Sequence, residues 1–453
     1  MGVEMTKPSC PRSKTNTWTD DQCTVDGAQA FMLRMSSIFG LAPLRFKPHG
    51  DGYIVSISVP MCIYSYIMIT GLIALTLFGL ISELNQGIRP YAHMSSRLSQ
   101  FISCIDVLMI TILASVGVYG APCRMRNMIK FMNVIASVDK RIGYQYSLWW
   151  NRRLCAGVCL FILWFSFIHI TDIYYYTYHA SIFNSHWELV AHYLGLYILW
   201  FPVMILKIQF TITVMVVYSR FKAVEEALSV TTKLLVEIYM EEEKDPDANI
   251  FMTRISPNDK GTQKTQKIKT SFIRPPVTGN GDRLHPSPCD VIQRISSQLV
   301  DLCDMTRLIV NNYSTVLVLK LMLNVFHLVV SPYFAIIEIQ LRAPNSPWGH
   351  YMILQCAWYT IHILRLFLVV EPCYYTIAKI REIENLVCRL VVTAPNTGAL
   401  AIHVEHLALQ LMVQPVCFKP KGLCTLDRPL IASIFGAVTT YLVILIQFQK
   451  YDN

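Results

Sequence analysis

The sequence predicts an all-α membrane protein with seven transmembrane helices. Of its 453 residues, 53% are hydrophobic and 15% are charged, whereas a soluble domain carries about a quarter charged residues. The apolar residues gather in blocks of about twenty or more, the length that a helix needs to cross the hydrocarbon core of a bilayer. Basic and non-basic connections alternate between the blocks, as expected when successive connections lie on opposite sides of a membrane.

The chain opens with a polar segment. Residues 1–52 contain several basic residues and no early apolar core of a signal peptide, so we expect the first span to act as its own insertion signal. Seven spans follow, each an apolar run bounded by polar breaks. They are predicted at residues 53–81, 98–119, 154–176, 188–218, 309–341, 351–378 and 429–448.

Positive charge assigns each connection to one side of the membrane. The second-to-third, fourth-to-fifth and sixth-to-seventh connections are rich in Lys and Arg, whereas 179–187 and 343–349 contain neither. Because basic connections stay in the cytoplasm, the N-terminus is predicted to be intracellular and the C-terminus extracellular. This orientation is the reverse of that of a G-protein-coupled receptor.

Two features of composition argue against other classes. The net charge of +9 comes from residues in the connections, so it indicates topology and no nucleic acid partner. The 14 cysteines are scattered and include no paired CxxC, so we expect no metal, no cofactor and no redox chemistry. We also expect that the protein is not an enzyme.

The last span contains a recognisable ending. Residues 440–448 read TYLVILIQF, and residues 418–424 before them include Phe418 and the run Gly422, Leu423, Cys424. Residues 440–448 resemble the ending of insect gustatory receptors, which consists of Thr-Tyr, five apolar residues and Gln-Phe. Residues 418–424 resemble the short motif that precedes this ending in the same family. Residues 362–373, HILRLFLVVEPC, resemble the fructose-receptor branch of that family. The resemblance extends over most of the chain from the fifth span onward and weakens towards the N-terminus.

The resemblance implies a homotetrameric, nonselective cation channel of the plasma membrane, with a central pore made by the seventh helices. Its agonist would be a sugar, D-fructose, and its role taste or nutrient sensing. The implied partners are fructose, permeating cations, membrane lipids, further copies of the chain and other gustatory receptor subunits. Two alternatives stay open: a metabotropic, G-protein-coupled chemoreceptor and a proton-coupled sugar transporter. The transporter is less favoured because the membrane acids share one depth and interrupted helices do not recur in two halves.

Polar and bulky residues of the seventh span are the candidates for lining and closing the pore. Thr440, Ile444, Gln447 and Phe448 fall on one helical face, and Phe448 would form an apolar ring that closes by dewetting. The alternative is that Gln447 caps the helix while Phe448 belongs to the aromatic belt at the membrane interface. The family resemblance favours the pore.

Ionisable groups inside a bilayer are costly and usually face a cavity or a partner. Several fall in the outer halves of the spans together with aromatic residues, the mixture that binds sugar hydroxyls and C–H faces. Gln355 and Trp358 also match positions used by fructose receptors in the segment YMILQCAW, whereas Asp106 and His192 could instead satisfy a neighbouring helix. The candidate ligand-binding residues are Asp106, His192, Tyr193, Tyr333, Glu338, Gln355 and Trp358.

Other membrane ionisable residues are predicted to have structural roles. His169 and Asp172 fall in this group. On the sixth span, His362, Arg365 and Glu371 are predicted to pack or couple helices, with partners on other spans because six positions separate the last two. Lys207 is predicted to extend its side chain towards the cytoplasm.

The predicted spans divide the chain into six regions. Residues 241–290 are rich in Pro, Gly, Lys, Thr and Asp and lack an apolar period, which is typical of disorder. The regions are a cytoplasmic N-terminal region at 1–52, helices 1–4 with the pocket walls at 53–240, a disordered cytoplasmic insert at 241–290, helices 5 and 6 at 291–378, a cytoplasmic anchor region at 379–428, and the pore helix with the extracellular C-terminus at 429–453.

Overall fold

Ten α-helices and a small β-sheet make up the part of the chain that the structure, a computed structural model, describes. That part comprises residues 22–50, 52–86, 97–142, 148–181, 186–242, 288–341, 349–393, 399–413 and 415–452. The 241–290 insert and the first 21 residues therefore lie almost wholly outside it. The elements are β1 (Gln22–Val25), α1 (Gly27–Ile38), β2 (Leu44–His49), β3 (Gly52–Ile57), α2 (Val59–Gln86), α3 (Arg97–Tyr119), α4 (Ala121–Ile142), α5 (Leu148–Ser181), α6 (His186–Glu242), α7 (Pro288–Leu341), α8 (Gly349–Thr393), α9 (Ala399–Val413) and α10 (Arg428–Asp452).

Seven of these helices, α2, α3, α5, α6, α7, α8 and α10, are long and apolar enough to cross a membrane. The predicted membrane fold of seven helices is therefore confirmed, although a small β-sheet accompanies the helices. The helix α6 lies at the centre and packs against α1, α2, α3, α5, α7 and α8. Its most apolar stretch is 83% buried, whereas that of α10 is only 11% buried, so the last span is the least covered within one chain.

Three helices are much longer than a membrane crossing. α6, α7 and α8 contain 57, 54 and 45 residues, and at 1.5 Å per residue they extend about 70 to 85 Å. A bilayer core is about 30 Å thick, so each helix continues well beyond it.

A three-stranded antiparallel sheet precedes the first span, in the order β1-β3-β2. The sequence predicted a span from residue 53, which is wrong by several residues, because Tyr53 pairs with Val25 in the sheet and the helix begins at Val59. The cause is that β3 is an apolar, β-branched run that hydropathy cannot distinguish from the start of a helix. Gly52 has no room for a side chain, since a Cβ there would lie 2.6 Å from the Val25 carbonyl oxygen.

The predicted second-to-third connection is a helix, α4, whose Arg124 is buried. The Arg124 side chain donates to the carbonyl oxygens of Gly117 at 2.6 Å and Leu41 at 3.4 Å. Its own backbone carbonyl accepts from the side chain of Asn312 on α7 at 3.1 Å. Burial lowers the pKa of the Arg124 guanidinium below its ordinary value. Arg124 thus ties the segment after α1 to α3 and α7.

Candidate functional site

Polar and aromatic side chains from five spans meet inside the helix bundle. They come from α3, α5, α6, α7 and α8, and the contacts described below join them into one continuous group. We call this group the central cluster. Its members are Asp106, His169, Asp172, Tyr197, Trp200, His327, Trp358, His362 and Arg365.

The buried carboxylate of Asp172 connects α5 with α6 and α8. Its Oδ2 accepts a hydrogen bond of 2.5 Å from the Tyr197 hydroxyl, and its Oδ1 accepts one of 3.2 Å from the Trp358 indole N–H. A carboxylate has about four acceptor sites, so Asp172 keeps capacity for two further donors. The two bonds fix the Trp358 ring relative to α5.

Aromatic rings surround Trp358, which is half-buried. Its ring centroid lies 5.0 Å from that of His169, 5.9 Å from that of His362 and 6.3 Å from that of Trp200. His169 is 2% exposed, and neither of its ring nitrogens makes a hydrogen bond within the described part of the chain. Buried polar atoms normally have a partner, so the two nitrogens are free to bind a group that enters beside Trp358.

Another series of contacts within the central cluster runs from Asp106 to Arg365. The Nε2 atom of His327 lies 2.9 Å from Asp106 Oδ1, and its Nδ1 atom lies 2.7 Å from the Leu323 carbonyl oxygen. A carbonyl can only accept, so Nδ1 carries a proton and donates to it. The contact between Nε2 and Asp106 is close but lacks the geometry of a hydrogen bond. The His327 ring stacks on His362 with centroids 4.5 Å apart.

The Arg365 guanidinium is the last group in this series of contacts. Its Nη1 lies 3.3 Å from His362 Nδ1, and its carbon lies 4.4 Å from the centroid of the Trp200 ring. Asp106 attracts it electrostatically. An aromatic face and an acid thus stabilise a guanidinium that would otherwise be costly inside a membrane.

The predicted ligand-binding residues are distributed unevenly around this cluster. Asp106 and Trp358 belong to it, and Tyr193 lies one turn before Tyr197, close enough to Asp172 and Glu83 to interact with their charges. Tyr333 is buried on α7 with its ring 5.6 Å from that of Phe334, and Gln355 is half-buried one turn before Trp358. The side chains of two further predicted residues lie outside the described part of the chain; these are His192 and Glu338.

Several members of the cluster had no predicted ligand role. His169 and Asp172 were predicted to be structural, yet both contact Trp358 directly. Trp200, Tyr197 and His327 were not singled out. The rule that an ionisable group inside a membrane faces a cavity or a partner would have selected His327. Trp200 and Tyr197 carry no such signal, because aromatic residues are common in apolar spans.

Comparison with known proteins identifies the family. A family model described as 7tm chemosensory receptor matches residues 29–452. The chain belongs to the 7tm chemosensory receptor family. This receptor is therefore a multi-pass protein of the plasma membrane and not an enzyme.

Individual relatives agree with this assignment. The receptor is 25% identical over 436 residues to the gustatory receptor for sugar taste 43a of Drosophila melanogaster, with 92% of this chain and 97% of the relative covered. It is 30% identical over 173 residues to the putative gustatory receptor 28a of the same species, 37% of each chain. The fold resembles the olfactory receptor OR5 from Machilis hrabei in structures with and without eugenol, with a TM-score of 0.57, 13% identity and over 90% of both chains covered.

The structure describes the surroundings of two other charged residues for which the sequence predicted a role, Lys207 and Glu371. Lys207 was predicted to extend its side chain towards the cytoplasm, and the structure shows that this side chain is buried and only 5% exposed. The central position of α6 among the other helices explains the burial. Glu371 pairs with Arg428 on α10, in agreement with the prediction that another span supplies its partner.

The predicted pore residues lie on the least covered helix of the receptor. Thr440, Ile444 and Gln447 are exposed on α10, and the Thr440 hydroxyl donates to the Gly436 carbonyl oxygen at 3.0 Å. Phe448 belongs to α10, but its side chain lies outside the described part. Within that part, no group of three or more His, Cys, Asp or Glu residues could hold a metal ion.

Proposed function

We propose that this receptor is a sugar-gated, nonselective cation channel and that D-fructose is its agonist. The observation that carries the proposal is the similarity, over 92% of the chain, to a receptor whose name states a role in sugar taste. A similarity that covers nearly the whole of both chains includes the pocket and the last span alike.

The chemistry of the central cluster supports a sugar as the ligand. A sugar presents hydroxyl groups that need donors and acceptors, and C–H faces that pack on aromatic rings. The cluster offers both: a carboxylate with spare acceptor capacity at Asp172, unpaired ring nitrogens at His169, and an indole face at Trp358. The affinity would be weak, roughly millimolar, because a small polar ligand must lose water before it gains hydrogen bonds.

Four copies of the chain would supply the pore. α10 leaves most of its apolar surface uncovered within one chain, and four such helices around an axis would cover one another. Thr440, Ile444, Gln447 and Phe448 would then line a central pore closed by the Phe448 ring. The N-terminus would lie in the cytoplasm and the C-terminus outside, so the central cluster would open outward.

α8 would transmit sugar binding to the pore. It carries Trp358 in the cluster and Glu371 further along, and Glu371 pairs with Arg428 at the start of α10. Side chains of α7, α8 and α10 also form a separate apolar cluster that includes Leu328, Val370 and Ile434. Sugar gates the channel only if it binds the open form more tightly than the closed form.

Current recordings test this function. Outside-out patches from cells that express this chain alone would receive fructose, glucose and sucrose on the outer face, without cytosolic nucleotide. We expect a fructose-selective cation current. Silence to all three sugars with verified surface protein would overturn the proposal for this chain alone. Sugar responses that vanish in G-protein-depleted membranes would indicate a metabotropic receptor, and proton-coupled sugar uptake without channel openings would indicate a transporter.

A further inference from the structure

Two lysines lie buried inside the bundle away from any described acid. Lys207 on α6 is 5% exposed and Lys320 on α7 is 3% exposed. The Nζ atom of Lys320 makes no hydrogen bond within the described residues. An ammonium group that loses water and gains no partner is among the most costly arrangements in a protein interior.

The charges that act on these lysines are positive. Lys320 lies within electrostatic range of Lys207 and of two arginines, Arg124 and Arg365, while Lys207 lies within range of Arg365. The nearest acids of the central cluster have other contacts: Asp106 faces His327, and Asp172 accepts from Tyr197 and Trp358. Repulsion among the cations adds to the cost of burying them.

Unused hydrogen-bond donors accompany the two lysines. Asn324 lies one turn from Lys320 on α7, so the two residues share a side of the helix. Asn324 is 5% exposed, and neither atom of its amide has a partner within the described residues. The Nε and Nη2 atoms of Arg365 on α8 are also unpartnered there. Positive charge and free N–H donors in one region are the features of a site for an anion.

We infer that Lys207 on α6 together with Lys320 and Asn324 on α7 binds a small monovalent anion of the halide class, such as chloride. One negative charge would offset the repulsion between the ammonium groups and accept their hydrogen bonds. The side chains are almost fully buried, so the inference is limited to a small anion. Arg365 also belongs to the central cluster, but the inference does not depend on the sugar-binding role proposed above.

Thermal unfolding tests the inference without any sugar. The full-length protein, purified in lipid nanodiscs, would be heated in sodium chloride from about 5 to about 300 mM, with sodium gluconate added to keep the ionic strength constant. An anion that binds only the folded state raises Tm with its concentration, here by about 2 °C or more. An equal Tm in chloride and gluconate would overturn the inference and indicate uncharged lysines.

Three variants identify the residue responsible. Lys320→Met should lose the chloride dependence and, in gluconate, unfold at a higher temperature than wild type, because a buried unpaired charge has been removed. Lys320→Arg should retain the dependence. Lys222→Met changes an exposed lysine of α6 and should respond to chloride as wild type does. Chloride dependence that persists in Lys320→Met would assign the effect to another surface and overturn the inference.

Discussion

Arg428 on α10 and Glu371 on α8 form a bidentate ion pair. The Arg428 Nε atom donates to Glu371 Oε1 and the Nη2 atom donates to Oε2, each at 3.0 Å. The Arg428 guanidinium carbon also lies 4.1 Å from the centroid of the Tyr374 ring. A bidentate pair fixes both the distance and the orientation of the helices it joins. Because α8 also carries Trp358, this pair lies between the central cluster and the last span.

We expect Glu371→Gln to weaken coupling between sugar binding and current. An exposed ion pair contributes little to stability, so the half-maximal sugar concentration should rise only about threefold to fivefold with normal surface protein. Dose-response recordings measure this shift. Glu226→Gln, which disrupts the exposed Lys222–Glu226 pair, should leave the curve unchanged. A Glu371→Gln curve that overlies wild type would remove the pair from the coupling route.

Two substitutions of Trp358 should distinguish the contribution of ring stacking to sugar binding from that of the hydrogen bond to Asp172. Trp358→Ala removes both and should abolish sugar-evoked current while surface labelling stays normal. Trp358→Phe keeps an aromatic face but loses the N–H that donates to Asp172, and a lost bond to a charged group corresponds to a rise of about tenfold or more in the half-maximal concentration. Ile353→Ala on the same helix, at a side chain that is 70% exposed, is the matched control. Normal sugar responses in Trp358→Ala would rule out this pocket.

The buried pair between Arg220 and Asp139 should be essential for stability. Their bonds of 3.0 and 2.7 Å join α6 to α4, and both side chains are largely buried. Asp139→Asn removes the negative charge that accepts two hydrogen bonds from a buried guanidinium, at a cost of about 3–5 kcal/mol, so surface expression and Tm should fall strongly. Asp301→Asn removes the partner of Arg141 in an exposed pair and should change Tm very little. Equal behaviour of the two variants would contradict the structural role of the buried pair.

Asp26, at the start of α1, should make stability depend on pH. Burial raises the pKa of its carboxyl, more than the nearby Arg220 lowers it. A raised pKa in the folded state means that ionisation is disfavoured there, so this contribution to stability is lost as pH rises. Its side chain makes no capping hydrogen bond, and Asn is an equally good cap. Asp26→Asn should therefore raise Tm at pH 7, and the gain should vanish in acid. A gain that persists at pH 3 would exclude this cause.

The sequence predicted the spans well because a membrane crossing requires a long apolar run that can be read locally. It missed the sheet because β3 is also an apolar run, and only its pairing with Val25 and other residues of β1 and β2 reveals a strand. The contact between Asp172 and Trp358 could not be predicted either, since it joins residues 186 positions apart. Depth in the membrane selects candidate residues but does not say which of them meet.

The length of α7 and α8 has a mechanical consequence. Each runs through the central cluster and continues as a single helix well beyond the span. A rod about 70 Å long that tilts by about 3° around one end moves its other end by about 4 Å. A lever of this kind turns a small adjustment around a bound molecule into a displacement large enough to separate packed side chains at its far tip.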